Sequence, residues 1–288
     1  MAKIDQFESI FRAASKLAFE PELVQFERIL VITDLSDQDS LPFSEEVKSF
    51  LDVFAEKNNP TWKLINGNEF GSVPDLLEQI NRYRPDLICT YRNLHIPATQ
   101  HPYSLGVYVD VLTQATSTPI LLMPRMDSQS EFEIDALVKA GTGNVMAITD
   151  HLAGDHLLVN VASSLVRKGG KLFLTHVEDQ AGFERFFDVI DKISEIDSET
   201  ARKSIINRLL DEPRDYIESC REVLEQAGDV QVESIVTCGH LLKDHLKLIE
   251  EHGIDLLILH TKDDDQMAMH GLAYPLAVEM RDRPMLLI

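Results

Sequence analysis

The chain has 288 residues, about twice the commonest domain size, so two domains with separate cores are expected. Its 48 acidic residues against 27 lysines plus arginines give a net charge of −21, a field that repels nucleic acid and anionic membrane surfaces. No run approaches the ~20 apolar residues of a membrane helix, and the polar opening MAKIDQFESI lacks a signal peptide's apolar core. These features point to a cytoplasmic protein with no membrane insertion and no nucleic-acid partner. Cys89, Cys220 and Cys238 have no C-x-x-C spacing and read as free buried thiols.

Residues 4–18 read as an added helix, and 28–33 (RILVIT) as a strand covered on both faces. A helix is predicted from Ser44 to near Lys57, a strand over 62–66 and a helix over 73–83 with Val73, Leu76, Leu77 and Ile80 on one face. A strand from Asp86 to Thr90, a helix over 106–117 and a strand over 118–123 complete the first half. After a polar linker the order restarts, with strand 144–149, helix 154–168 and strand 171–177 (KLFLTHV). A helical insert over 181–227, broken at Pro213, precedes strand 230–236, helix 240–252, strand 255–260, helix 271–282 and strand 284–288. This alternation implies an α/β chain of right-handed βαβ units with a parallel sheet. The domains are drawn at 1–126 and 144–288, with 127–143 as linker.

The halves repeat each other. Each opens on a strand running into Thr-Asp, at Asp34 and Asp150, and each has a later strand starting Asp-Leu, at Asp86 and Asp255. In each, a glycine stands thirteen residues before the proline of the last strand, Gly106 to Pro119 and Gly271 to Pro284, which marks an internal duplication. Asp34 to Asp86 spans 52 residues whereas Asp150 to Asp255 spans 105, so the first copy lacks a strand and helix.

In this order of motifs the chain resembles the universal stress protein family in its tandem form. The resemblance implies two tandem open parallel-sheet domains of the adenine-nucleotide alpha hydrolase-like (Rossmann-like) type. It also implies that the two last strands pair, making an intramolecular pseudo-dimer, with a homodimer as a further option. ATP-binding relatives carry G-x-x-G after the fourth strand and G-S or G-T before the last helix, glycines that let the backbone approach phosphates. Here Tyr91 and Leu94 stand in the first two glycine positions of the first half, and His260 and Asp263 in those of the second. Gly106 and Gly271 alone remain, followed by Val107 and Leu272.

Asp263, Asp264 and Asp265 set carboxylates where phosphates bind in relatives, a repulsive arrangement without a bridging cation. Asp34 and Asp150 align with the family aspartate that faces adenine, and Val177 ends the strand beside it; each aspartate serves equally as a cap of the following helix or turn. In the first half Arg92, His95 and Tyr103 are candidates to meet an anion at the helix start near Gly106, against the alternative that Arg92 pairs with a surface carboxylate and His95 is solvated. His260, Asp263, Asp265 and His270 offer metal-ligand chemistry without a recognised spacing, so a solvated acidic loop is the expectation and no metal is assigned. Cys238, His240 and His245 do not share a helical face, and Ser163-Ser164 reads as packing. No G-x-S-x-G, P-loop or H-E-x-x-H occurs.

The leading reading is a non-catalytic, stress-response regulator without a cofactor. An adenine-nucleotide-binding module keeping ATP or AMP in one half is the alternative. A third reading is a scaffold whose 181–227 insert, with its FERFF cluster, docks an unknown protein partner or transporter.

Overall fold

The computed structural model describes residues 18–53, 59–96, 101, 103–125, 140–149, 152–190, 198–228, 230–261 and 271–288. The first half holds β1 (Arg28–Ile32), α1 (Asp37–Phe50), β2 (Thr61–Ile65), α2 (Val73–Tyr83), β3 (Leu87–Tyr91), α3 (Val107–Ala115) and β4 (Ile120–Met123). The second begins with β5 (Asn144–Ile148), α4 (His156–Leu165), β6 (Gly170–Asp179), α5 (Gln180–Ile190) and α6 (Ser198–Gln226). It continues with β7 (Val230–Gly239), α7 (Leu241–Glu251), β8 (Leu256–Leu259), α8 (Ala273–Glu279) and β9 (Met285–Leu287). Residues 4–17 of the expected added helix and 127–139 of the linker lie outside the described residues.

The nine strands among the described residues form one sheet in the order β2-β1-β3-β4-β9-β8-β5-β6-β7. Neighbours are parallel except β4 and β9, which run antiparallel with Ile120 opposite Leu287 and Leu122 opposite Met285. The protein is thus α/β, with a mostly parallel, Rossmann-like sheet. From one edge the order is β2-β1-β3-β4 and from the other, inside β7, it is β6-β5-β8-β9. The antiparallel joint sets the C-terminal strand ends of the two halves, where ligands bind in such sheets, at opposite edges.

The central strands are almost wholly apolar, so burial drives helices over both faces. β3, β4, β8 and β9 are buried along their whole length, while β2 and β7 at the edges are only partly covered. Helix α2 follows its sequence pattern closely: Leu76 and Ile80 are buried and Ser72 caps it by accepting from the Asp75 amide at 3.4 Å. Two helices depart from expectation. α1 starts at Asp37, not Ser44, because Ser36 caps it and the helix passes through Pro42 to bury Phe43, Val47 and Phe50. α6 runs unbroken through Pro213, held by its packing on β6 and β7.

The repeated Asp-Leu motif has a structural task at both places. Asp86 Oδ2 accepts the Glu27 and Arg28 amides at 3.1 and 2.9 Å, and Asp255 Oδ2 accepts the Asn144 amide at 2.7 Å. Each carboxylate thereby fixes the start of the neighbouring strand, β1 or β5. The carbonyls of Pro119 and Pro284 likewise accept from Ile88 and Leu257 at 2.9 and 3.1 Å.

Candidate functional site

At the first half's edge, β1 delivers Thr33 and Asp34, and β3 delivers Tyr91. The Tyr91 hydroxyl donates to Asp34 Oδ1 and shares a 2.7 Å hydrogen bond with Thr33 Oγ1, while the Asp34 amide donates to it at 3.2 Å. Asp34 Oδ2 accepts the His95 amide at 2.7 Å and lies 3.5 Å from Arg125 Nη2. Arg125 also donates to the carbonyls of Asn93 and Ile96 at 2.5 and 2.8 Å, and its guanidinium covers the Tyr91 ring at 5.4 Å. Burial, then the hydrogen bond to Asp34, pushes the Tyr91 hydroxyl above its ordinary value. The Asp34 side chain is 9% exposed and both its oxygens are engaged by the chain itself. It does not cap α1, a task that belongs to Ser36.

The candidate anion residues do not converge. Arg92 is buried and turns away from the edge, donating to the carbonyls of Met280 at 2.7 Å and Val278 at 3.5 Å at the end of α8. Burial, then Arg281, lowers its guanidinium to about 10. Among the described residues its hydrogen bonds run to these carbonyls and not to the surface carboxylate considered for it. His95 is exposed at φ 59°, its ring against Phe70 at 4.7 Å and Tyr108 at 5.4 Å. Tyr103 is 73% exposed and lies under the Arg281 guanidinium at 5.2 Å. Gly106, at φ 88°, is the N-cap of α3, and a Cβ there would sit 2.8 Å from Asn93 Cα. Asp34, His95 and Gly106 therefore share the edge, whereas Arg92 and Tyr103 face the second half.

In the second half Asp150 and 262–270, including Asp263, Asp264, Asp265 and His270, lie outside the described residues. His260 Nε2 lies 2.9 and 3.1 Å from the two carboxylate oxygens of Asp155, which also caps α4 by accepting the Leu158 amide at 3.1 Å. Gly271, at φ 56°, precedes α8. Val177 is buried and helps line a cavity of about 410 Å3 at the C-terminal end of β6, under α6 and the start of α7. Among the described residues no group of three His, Cys, Asp or Glu is placed to hold a metal, and no helix is long and apolar enough to cross a membrane. Cys89 and Cys220 are buried free thiols, and Cys238 is only partly covered. In the FERFF cluster Phe183 and Phe187 turn inward beneath Arg202, at 5.8 and 5.6 Å, and Phe186 stays 55% exposed.

Sequence reasoning missed Arg125, whose signal was its place just after the last strand of the first half, and the Asp155–His260 pair. Its signal was a helix-capping aspartate facing a side chain in a glycine position.

This combination defines a class: an α/β, Rossmann-like sheet in which the chain's own side chains enclose Asp34 at the strand ends of the first half. No family model matches the chain, and no curated protein matches it. Solved structures do share the fold. A protein of unknown function from Pseudomonas aeruginosa is 10% identical over 91% of this chain and 92% of its own, with a TM-score of 0.51. A universal stress protein from Archaeoglobus fulgidus is 13% identical over 90% of this chain and 95% of its own, with a TM-score of 0.50.

Proposed function

We propose that this chain is a non-catalytic, cytoplasmic regulator of the universal stress protein kind whose nucleotide sites are closed from within. One observation carries the reading. In each half the side chain standing in the first glycine position reaches an aspartate after the half's opening strand, Tyr91 to Asp34 and His260 to Asp155. A phosphate loop needs that space empty and its amides turned to the ligand. The matching strand orders and the β4–β9 joint support reading 1–126 and 144–288 as tandem copies paired as an intramolecular pseudo-dimer.

Isothermal titration with ATP and AMP, with and without magnesium, is expected to show no micromolar binding. Micromolar binding to the wild type that disappears in Asp34→Ala would sink the closed-site reading. A second reading is an adenylate held in the second half, where the apolar walls of the cavity at Val177 suit a base although its carboxylates oppose phosphates. An adenylate found by mass spectrometry in the natively purified protein would establish it.

A further inference from the structure

The cavity at the end of β6 is open where the first half is filled. Leu152, Val177, Leu209, Pro213 and Leu241 give it apolar walls, and its volume of about 410 Å3 falls within the roughly 300–1,000 Å3 of small-molecule sites. Apart from His176, its ionisable lining is one-signed. Glu178, Asp179 and Glu212 contribute carboxylates, and no lysine or arginine is among the described residues that line it.

Two of the acidic groups are already fixed in place. Asp179 accepts the Ala181 and Gly182 amides at 3.1 and 3.0 Å, and Glu178 Oε2 lies 3.4 Å from His176 Nε2. His176 is buried and its Nδ1 has no hydrogen-bond partner among the described residues, a state that buried polar atoms rarely keep without a ligand or water. The potential is felt next door: after burial, Glu178 and Asp179 push the Cys238 thiol up across the β6–β7 pairing. A phosphate group there meets repulsion, and a cation meets attraction.

We propose that this cavity binds a small amphipathic organic cation, its apolar body between β6 and α6 and its protonated amine at the Glu178 carboxylate. The site lies in the other half from Asp34, and the proposal stands whether or not the nucleotide sites are closed.

Three probes sharing an indole body test it on the whole chain by isothermal titration: tryptamine, neutral tryptophol and anionic indole-3-acetate. Tryptamine is expected to bind, tryptophol about tenfold more weakly, and indole-3-acetate not at all. Glu178→Gln is expected to weaken tryptamine about tenfold while leaving tryptophol unchanged. Leu209→Trp, which fills the cavity from α6, is expected to abolish both, with circular dichroism checking that each variant folds. The proposal is overturned if no probe binds, if indole-3-acetate binds as well as tryptamine, or if AMP binds in a manner lost in Leu209→Trp while tryptamine does not.

Discussion

Tyr91 occupies space at the strand edge and satisfies Asp34 at once, so a single side chain both fills that space and stabilises the fold. Removing its hydroxyl leaves Thr33 and Asp34, both largely buried, each short of a partner. Tyr91→Phe is expected to lower stability by about 1–3 kcal/mol in urea unfolding, the cost of unpaired buried polar groups. Asp255 makes a pH-dependent contribution. Burial holds its carboxyl above the ordinary 3.8, although the Asn144 amide and Arg167 oppose this. The folded state therefore binds the proton more tightly, so the contribution is complete below 3.8 and is lost as pH rises through the raised value. Asp255→Asn keeps an acceptor for the Asn144 amide and removes the ionisation. Its stability relative to wild type is expected to improve as pH rises from the carboxylate range to neutrality; urea midpoints that differ equally at both pH values would contradict this.

At the scale of elements, local pattern and packing compete. α2 was legible because one stripe of apolar residues at helical spacing lies between a serine cap and Arg84. The start of α1 was not, because Ser44 followed by Glu45 and Glu46 reads as a helix opening although the helix already runs through Pro42, and the continuity of α6 was not, because Pro213 reads as a break. In both, contacts made elsewhere on the helix outweigh the lost backbone bond. The start of α3 depends on a narrower feature. Gly106 holds a positive φ and passes close against Asn93, whose amide donates to the Leu105 carbonyl at 2.7 Å. Gly106→Ala is expected to cost about 1–3 kcal/mol through backbone strain and that contact, read as a lower melting temperature and urea midpoint. An unchanged midpoint would show that the loop relaxes freely.

Across the whole molecule, the antiparallel β4–β9 joint brings the ends of one half against the other. Arg92 ties the end of β3 to the last carbonyls of α8. In the reverse sense, residues leading into β1 strap the second half: the Phe19 amide donates to Ser219 Oγ and the Glu22 amide to Asn160 Oδ1, both at 3.0 Å, while Asn160 Nδ2 returns a bond to the Glu20 carbonyl. Arg92→Ala is expected to cost about 1.5–3 kcal/mol in urea unfolding, and Arg92→Met less, since it fills the volume without burying a charge. Equal losses for the two variants would mean that the hydrogen bonds, and not the volume that Arg92 fills, hold this contact. By itself the sequence determined the alternation of strands and helices and the Asp-Leu and Gly-to-Pro landmarks that recur in both halves, because each is written in local spacing or residue type. The tertiary structure alone decided that Arg92 serves the opposite half, that Tyr91 and Arg125 enclose Asp34, and that Val177 lines an open cavity. The Met280 carbonyl that Arg92 meets lies 188 residues away and Asp34 lies 57 from Tyr91. Periodicity tells which residues are buried, and only the folded sheet tells which of them meet.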